Sequence, residues 1–445
     1  MILCYNEGEE VRSNMSLKTM LMDKIPYYNQ LVLPYHLVQA VGAAVKYGFP
    51  GKKMRVIGVT GTNGKTSTSF MIWKMLNTAG YKTGLMTTVA WGVDELEEQV
   101  EHMTTADSET LNRRMQKIAE SGAEFLVLEI TSHALVQNRI FGVPIEIAVM
   151  TNVTHEHLDY HKTFEKYRDA KRKLFKKAQF GVINGDDESW SQFVSDVDKY
   201  ITYGIKNGIL RAKKVSLEAS GVEYEVINQG IDKDKQEPLL KIRTQIPGKF
   251  TVYNSLAAVA VGMKLGLTDK EIEDGIGALK SVEGRMNRVD EGQNFEVIVD
   301  YAHTPDAFEK VFESVVPGKK KRIIALFGGA GRRDETTRVE RGEIGAKNSD
   351  IVIITEDDSR DEDRMTIARE FARGAEKVGK KLGKDLWIEL DRRKAIELAI
   401  SLAKKDDIVL VLGKGHEKTI LRAEGAVPFE DLKVTREILR NRKET

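Results

Sequence analysis

The chain has 445 residues, 41% hydrophobic and 30% charged, which predicts a globular protein of two or three domains. Lys and Arg (68) nearly balance Asp and Glu (67), so the net charge favours neither nucleic acid nor an anionic membrane as a partner. The single cysteine excludes an internal disulfide framework and fits a reducing cytoplasm, and neither a membrane span nor a signal peptide is predicted.

The first predicted element lies in a short N-terminal segment, residues 1–50, where the mildly apolar run YHLVQAVGAAVKYGF favours a docked helix over a membrane-surface helix. From Met54 the sequence reads as a strand (MRVIGVT), a glycine-rich turn (GTNGKT) and a helix (STSFMIWKMLNTAG). The apolar runs FLVLEI and IEIAVM follow, with helical spacing between and after them. This alternation predicts βαβ units and a parallel sheet in a central P-loop domain, residues 51–284.

The second half of the chain repeats this alternation. A segment at about 200–244 first shows β-like alternation (GVEYEVI, LLKIRTQI) and predicts a small antiparallel insertion on the first sheet, and 277–284 predicts a hinge. The runs FEVIVDY, RIIALFG, DIVIITE and DIVLVLG then alternate with amphipathic stretches. They predict a C-terminal doubly wound, Rossmann-like domain, residues 285–445, so the fold class is α/β throughout.

The glycine-rich turn carries the strongest chemical signal. In GVTGTNGKT, residues 58–66, a strand leads through glycines into a helix, which is the context that a phosphate-binding loop requires. Lys65 is expected to neutralise phosphate charge, and the Thr66 hydroxyl to ligate Mg²⁺. Val59 occupies the usual glycine position, so an ordinary βα turn is the alternative.

Polar residues also follow the next two strands. Glu129 ends FLVLEI, where a carboxylate could complete a Mg²⁺ shell. After IEIAVM come His155, His157 and His161, a spacing that zinc could also use, although the phosphate loop favours magnesium. Lys171 lies ten residues further on in a basic helix, where a solvated face is the default interpretation.

Three strand ends of the second domain also carry glycines and polar groups. These are DYAHTP at 300–305, FGGAGRRD at 327–334 and GKGHE at 413–417. Because the carboxyl ends of parallel strands share one edge, they predict a second ligand-binding surface that faces the phosphate loop.

The motifs, taken in chain order, resemble those of a known protein family. The series GVTGTNGKT, EITSHALVQNR, TNVTHEHLDYH, YRDAK, VINGDD, YNSLAA, EGRM, VDYAHTPDA, GGAGRRD and GKGHE runs from about Val56 to the C terminus. In this order it resembles the Mur ligase family, and within it the UDP-N-acetylmuramoyl-tripeptide synthetases, which add the third amino acid of the peptidoglycan stem.

The resemblance implies an ATP-dependent, ADP-forming carboxylate–amine ligase of peptidoglycan precursor synthesis. ATP would convert the terminal carboxylate of a UDP-linked muramoyl dipeptide into an acyl phosphate, which the amine of an amino acid then attacks. The implied partners are these small molecules and no nucleic acid, the implied location is cytoplasmic, and a monomer is expected.

The resemblance also implies roles for individual residues. Catalytic roles fall to Lys65, His157 and Lys171, the last as a carbamate. Two Mg²⁺ ions would be held by Thr66, Glu129, His157 and the carbamylated Lys171. The implied ATP contacts are Gly61, Thr62, Asn63, Gly64, Lys65, Thr66, Ser67, Asn254, Arg285, Asp300 and His303. The implied substrate contacts are Thr104, Thr105, Ser132, His133, Arg338, Asp357, Asp358, Arg360, Gly413 and Glu417.

Two departures from the family pattern bear on the substrates. About fifty residues precede the phosphate loop, too few for the usual N-terminal uridine-nucleotide domain, so the grip on a UDP-linked acceptor is left open. Asp357-Asp358-Ser359-Arg360 stands where the diaminopimelate-adding branch has Asp-Asn-Pro-Arg. Arg360 suits a distal carboxylate and predicts diaminopimelate ahead of lysine, whereas Asp358 favours a distal ammonium.

Three alternatives remain open from the sequence. A folylpolyglutamate synthase-like or polyamino-acid ligase would use the same chemistry. A non-catalytic nucleotide-binding partner protein is a different class, and a generic P-loop ATPase leaves the second domain's strand ends unexplained.

Overall fold

A computed structural model of the protein describes residues 32–99, 103–218, 221–230, 238–315, 322–333 and 335–443. The predicted α/β class is confirmed, with a large mostly parallel sheet and a second, smaller one. Among the described residues, none of the helices combines the length and the apolar composition needed to cross a bilayer.

The first sheet has eleven described strands in the spatial order β11-β10-β9-β8-β7-β6-β1-β5-β2-β3-β4. Their bounds are β1 Arg55–Thr60, β2 Thr83–Met86, β3 Ala90–Gly92, β4 Leu96–Glu98, β5 Phe125–Glu129, β6 Ile145–Met150, β7 Ala178–Asn184, β8 Tyr200–Gly204, β9 Leu210–Glu218, β10 Gly221–Asn228 and β11 Leu240–Thr244.

The centre of this sheet is parallel and covered on both faces. Strands β1, β5 and β6 are almost wholly buried, as their continuous apolar sequences require. Successive β1 residues point to opposite faces, so Ile57 joins a core with α2, α8 and α9, while Val56 joins one with α3 and α6. The bounds of the helices of this half of the chain are α1 Leu33–Lys46, α2 Lys65–Thr78, α3 Ser108–Glu120, α4 Ser132–Val136, α5 Leu158–His161, α6 Phe164–Phe175, α7 Trp190–Val194, α8 Lys249–Leu265 and α9 Asp269–Gly277.

The segment at about 200–244 extends the same sheet. Strands β9, β10 and β11 pair antiparallel, but β8 pairs parallel with both β7 and β9. The sequence predicted antiparallel strands throughout. The β7–β8 pairing is parallel because α7 forms a crossover between these strands, and a crossover returns the chain in the same direction. The parallel β8–β9 contact is confined to Tyr203–Leu210 and Gly204–Arg211.

The N-terminal helix α1 docks on α3. Ala40, Ala43 and Ala44 are buried, and Lys46 Nζ and Tyr47 Oη donate to Glu109 Oε1 at 2.5 and 2.7 Å. A docked helix is therefore what the structure has in this segment.

The second sheet has the order β12-β13-β17-β14-β15-β16, in which only β12 pairs antiparallel. Helices α10, α11 and α12 pack on one face, and α13 and α14 on the other. Strands β18 and β19 form a separate hairpin. The bounds are β12 Asn287–Arg288, β13 Glu296–Asp300, α10 Pro305–Val315, β14 Ile323–Phe327, α11 Arg338–Lys347, β15 Ile351–Ile354, α12 Arg364–Lys377, β16 Leu386–Ile388, α13 Arg392–Leu402, β17 Ile408–Leu412, β18 Thr419–Arg422, β19 Gly425–Pro428 and α14 Asp431–Lys443.

Candidate active site

The phosphate loop joins β1 to α2 and depends on two glycines. Gly61 has φ of 151°, and a Cβ there would lie 1.8 Å from Thr151 Oγ1. Gly64 has φ of 85°, and its Cβ would lie 2.5 Å from Asn254 Oδ1. Only glycine therefore permits this path, which brings the amino terminus of α2 to the open edge of the sheet, where its N–H groups suit an anion.

Three polar groups meet where the loop enters the helix. Glu129 Oε2 lies 3.0 Å from Thr66 Oγ1 and also accepts a hydrogen bond from Thr88 N at 3.0 Å. Arg285 Nη2 lies 3.4 Å from Thr66 Oγ1. A hydroxyl beside a buried carboxylate is a donor set that suits Mg²⁺, so these residues fit the metal that the sequence predicted.

Lys65 faces this pair from the first position of α2. Its Nζ donates to the carbonyl oxygen of Thr62 at 2.7 Å, which folds the side chain over its own loop. The ammonium thus lies where phosphate oxygens would approach the loop.

Lys171 lies directly beneath the loop. Its side chain is buried, and Nζ donates to the carbonyl oxygen of Gly61 at 2.5 Å and sits 4.5 Å from the centre of the Tyr167 ring. Burial, with the charge of Lys65, holds the pKa of Lys171 well below its usual value. Among the residues that the structure describes, no carboxylate lies within ion-pair distance of Nζ. Burial therefore favours the neutral amine, unlike the solvated lysine that the helix's composition suggested.

The three histidines of the HEHLDYH stretch do not converge on one point. His155 stacks on Phe164 with ring centres 4.7 Å apart, whereas His157 and His161 lie 4.8 and 5.4 Å from the ring of His133. Within the described residues, the one group with metal-ligand spacing lies elsewhere. The geometry thus gives no support to the zinc interpretation.

His161 is buried and His133 is partly buried, whereas His155 is exposed. Burial, with the charges of neighbouring histidines, lowers the pKa of His133 to about 2, and burial with His157 lowers that of His161 to about 4. His161 Nε2 lies 2.9 Å from Ser132 Oγ. His133, His161 and Ser132 therefore form a neutral polar wall beside His157.

A cleft of about 450 Å³ separates the two sheets at their carboxyl edges. Asn63 Nδ2 donates to Asp306 Oδ2 across it at 2.5 Å, and the Arg285 guanidinium lies 4.6 Å from the centre of the Tyr301 ring. The predicted site residues that line it are Thr62, Asn63, Gly64, Lys65, Thr66, Ser67, Thr104, Glu129, His157, Asn254, Arg285, Asp300 and His303.

Asp300 and His303 enter the cleft from the loop after β13. Asp300 accepts from the N–H groups of Met286 and Ala302, both at 2.7 Å, and burial raises the pKa of its carboxyl. His303 Nδ1 lies 3.0 Å from the carbonyl oxygen of Tyr301. Asp300 thus fixes the backbone at Met286 and Ala302, while His303 extends across the cleft to Glu156.

The remaining predicted residues are not among those that line this cleft. They are Gly61, Thr105, Ser132, His133, Lys171, Arg338, Asp357, Asp358, Arg360, Gly413 and Glu417. Thr105 Oγ1, for example, donates to the carbonyl oxygen of Glu129 at 3.0 Å, so it supports the metal-site strand from below.

A buried charge cluster lies in the second domain behind Tyr301. The fully buried Lys414 Nζ lies 3.3 Å from Asp357, 2.8 Å from Asp358 and 2.6 Å from Glu417. One ammonium therefore contacts three carboxylates, and burial raises the pKa of the Glu417 carboxyl. Tyr301 Oη lies 3.4 Å from Glu417 Oε1 and connects this cluster to the cleft.

Two arginines were predicted to hold the incoming amino acid. Arg360 has φ of 54°, and its Nη1 donates to the carbonyl oxygen of Gly331 at 3.1 Å. Arg338 is held by Glu362 and Glu370, with Nη1 at 2.9 Å from an oxygen of each. Arg338 is thus occupied within the domain, whereas Arg360 lies beside the cluster.

The sequence missed several residues that line the cleft. Glu156 was passed over because its histidine neighbours dominate the motif, and Lys310 because it lies inside an ordinary helix. Tyr253, with Oη 3.0 Å from Asp186 Oδ2, gave no local signal. The recurrence of a polar residue after each buried strand could have identified Asp186 from the sequence.

A P-loop domain and a Rossmann-like domain that share one polar cleft define a two-domain nucleotide-dependent ligase fold. The family models for the "Mur ligase middle domain" and the "Mur ligase, glutamate ligase domain" match residues 59–262 and 284–415. The chain belongs to the Mur ligase family. Members of this family are ATP-dependent, ADP-forming amide ligases that use Mg²⁺.

Individual relatives agree with this assignment. The chain is 36% identical over 408 residues to a UDP-N-acetylmuramoyl-L-alanyl-D-glutamate–2,6-diaminopimelate ligase of Clostridium acetobutylicum, covering 90% of this chain and 81% of the relative. It is 38% identical over 417 residues to a UDP-N-acetylmuramyl-tripeptide synthetase of a Roseiflexus species, covering 89% and 81%.

Solved structures give the same picture. A UDP-N-acetylmuramoyl-L-alanyl-D-glutamate–2,6-diaminopimelate ligase superposes with a TM-score of 0.60 at 29% identity, covering 88% of this chain and 79% of that one. A folylpolyglutamate synthase of Mycobacterium tuberculosis superposes with a TM-score of 0.67 at 16% identity, covering 92% and 97%. The second likeness shows the fold alone.

Proposed function

We propose that this chain ligates an amino acid to the terminal carboxylate of a UDP-N-acetylmuramoyl dipeptide, in peptidoglycan precursor synthesis. The observation that carries the proposal is the shared cleft, in which the phosphate loop and the Thr66–Glu129 pair face the strand ends of the second domain. The names of relatives at 36–38% identity supply the substrate class.

The proposed reaction begins with phosphoryl transfer from ATP to the acceptor carboxylate. The N–H groups of the loop and the Lys65 ammonium bind phosphate oxygens, and Arg285 adds charge from the domain boundary. Thr66, Glu129 and His157 would hold Mg²⁺, which when bound neutralises charge on the transferring group. The amine then attacks the acyl carbon and a C–N bond forms. The nitrogen loses a proton to solvent, and the C–O bond to phosphate breaks to release inorganic phosphate.

Lys171 is proposed to carry a carbamate that serves a second Mg²⁺. A neutral amine attacks CO₂, loses one proton and becomes an N-carboxylate, and the buried Lys171 with its lowered pKa meets that requirement. The added carboxylate would supply the anion that the buried lysine lacks in its present surroundings.

Diaminopimelate is the proposed amino acid, ahead of lysine. Asp358 Oδ1 already accepts from Lys414 Nζ at 2.8 Å and from Leu421 N at 2.9 Å. These two hydrogen bonds partly compensate the negative charge of Asp358, which weakens its repulsion of a distal carboxylate. Arg360 beside it suits bidentate capture of that carboxylate.

The alternatives receive less support. The folylpolyglutamate synthase likeness, at 16% identity, bears on fold only. A non-catalytic role leaves the convergence of Lys65, Thr66, Glu129 and His157 on one cleft without a purpose.

The decisive experiment measures ADP release with UDP-muramoyl dipeptide or folate acceptors against a panel of amino acids. We expect release only when a muramoyl acceptor and an amino acid are both present, and loss of release in Lys65→Ala. Lys74→Ala, a lysine of the same helix outside the cleft, is the matched control and should stay active. Release with folate acceptors alone, or near-normal turnover by folded Lys65→Ala, would contradict the proposal.

A further inference from the structure

The carboxylate of Glu156 contacts groups from both domains and has no part in the mechanism above. Oε2 accepts from Tyr167 Oη at 3.2 Å, while Oε1 lies 3.6 Å from His157 Nε2 and 3.5 Å from His303 Nε2. We propose that Glu156 is a positioning residue that fixes the orientation of His157 when the second domain brings His303 into the cleft. The inference rests on the proposed function, in which His157 is a metal ligand.

The charge of Glu156 is held in place by its neighbours. The side chain is only 7% exposed, and a carboxylate removed from water persists only with compensating partners. Three groups surround it: Tyr167 Oη at 3.2 Å, His157 Nε2 at 3.6 Å and His303 Nε2 at 3.5 Å. The carboxylate therefore lies where its oxygens face both imidazoles.

The contact with His157 determines which ring nitrogen is available to a metal. A carboxylate that faces Nε2 favours the tautomer with hydrogen on Nε2, which leaves the lone pair on Nδ1. His157 also has φ of 55°, a left-handed backbone that is unusual for a residue other than glycine. Such a conformation persists only where the surroundings determine it, and Glu156 is the adjacent anchor.

The contact with His303 makes this anchor depend on domain closure. His303 belongs to the loop after β13, and its Nδ1 is turned to the carbonyl oxygen of Tyr301. Other contacts join the domains, such as Lys418 Nζ to Glu98 Oε2 at 2.6 Å. The Glu156–His303 contact reaches the residue next to His157, a proposed metal ligand, as the Arg285–Thr66 contact reaches Thr66 itself.

Tyr167 extends the same anchor to the phosphate loop. Its hydroxyl lies 3.0 Å from Thr62 Oγ1, and its ring lies under Lys171. A displacement of Glu156 would therefore shift His157, the phosphate loop and Lys171 together.

The test compares Glu156→Gln, Glu156→Asp, His303→Gln and the double variant Glu156→Gln/His303→Gln. We measure kcat and KM for ATP, and Mn²⁺ affinity by electron paramagnetic resonance with a non-hydrolysable ATP analogue. Loss of a residue that orients a metal ligand typically lowers activity or metal affinity by about 10- to 100-fold. We expect such a fall in kcat and in Mn²⁺ affinity for Glu156→Gln, a KM for ATP within about threefold, and partial recovery in Glu156→Asp, which keeps the charge.

The double variant separates positioning from simple support of the fold. If Glu156 acts with His303, the double variant loses no more than the worse single variant, whereas independent effects multiply. Glu165→Gln, at an exposed acid of α6, is the matched control and should behave as wild type. Multiplied losses, an unchanged Mn²⁺ affinity, or equal kcat in the Gln and Asp variants would overturn the inference.

The experiments distinguish failure of this inference from failure of the proposed function and from failure of a variant to fold. Absence of ADP release by the wild-type enzyme would contradict the proposed function, whereas Mn²⁺ binding still tests the anchor. Should Glu156→Gln fail to fold, His303→Gln alone decides, because that side chain is 39% exposed and its loss leaves the core intact. Mn²⁺ affinity that is unchanged in His303→Gln would then overturn the inference.

Discussion

The contacts of Arg338 indicate a structural role, whereas the sequence predicted that it binds substrate. The family resemblance implies that it holds the incoming amino acid, but its side chain is 2% exposed and bound by Glu362 and Glu370. Its Nη2 also donates to the carbonyl oxygen of Ala330 at 3.1 Å. We therefore expect Arg338→Met to destabilise the C-terminal domain, with substrate binding affected only through that loss.

The magnitude follows from the burial of the three charged groups. Removing one partner of a buried ion pair costs about 3–5 kcal/mol, because the other charge is left without compensation. Glu362 and Glu370 are 18% and 26% exposed, so water solvates them partly and the lower end, about 3 kcal/mol, applies. At about 2–4 °C per kcal/mol for a domain of this size, Tm should fall by about 6–12 °C.

Calorimetric unfolding of Arg338→Met measures this directly. Arg373→Met is the matched control, since Arg373 is 63% exposed and pairs with the same Glu370 at 3.5 Å. Its Tm should change by less than about 2 °C, because exposed pairs contribute little. An unchanged Tm for Arg338→Met, together with a raised KM for the amino acid, would refute the structural role.

Further predictions concern the carbamate, the amino acid and pH. Lys171→Ala should lose ligase activity and recover part of it with short carboxylic acids, which resupply the anion; a free Lys171 amine in active, CO₂-equilibrated enzyme would rule this out. Arg360→Ala should reduce use of diaminopimelate relative to lysine by about tenfold, the worth of one charged hydrogen bond; a wild-type preference for lysine in amino-acid competition would contradict the assignment. His161 has a folded-state pKa of about 4, and an unfolded histidine titrates near about 6.5, so unfolding takes up a proton between these values. Stability should therefore fall as the pH drops from 7 to 5, by about 1–2 kcal/mol from this residue, and His161→Gln should flatten that slope in urea unfolding; an unaltered slope would show that His161 does not carry the effect.

The sequence predicted those parts of the fold and site that depend on local pattern. The runs predicted as strands, such as FLVLEI and FEVIVDY, form buried strands. Glu129 and Asp300 at their ends reached the carboxyl edge because parallel strands bring their ends together. The glycines of the phosphate loop could be predicted from the sequence because the backbone conformation of such a loop requires glycine.

Other features depend on tertiary contacts and left no local signal. The short strands β2, β3, β4 and β16 have only three or four residues each, too few for a period to be read. The pairing of Asp358 with Lys414 spans 56 residues of sequence, and the burial of Lys171 could not be told from its basic helix. Such contacts become visible only when distant strand ends are assembled.

The two edges of the eleven-stranded sheet have a bearing on solubility. An unpaired edge strand offers hydrogen-bonding groups to any other extended chain, and long edges invite association. At one edge β11 exposes Lys241 and Arg243, and at the other β4 exposes Glu97 and Glu98. The two borders therefore carry opposite charges, and Glu98 is further occupied by Lys418. A strand from another molecule would have to bury those charges to add to the sheet, so we expect the wide sheet to resist growth by strand addition at both ends.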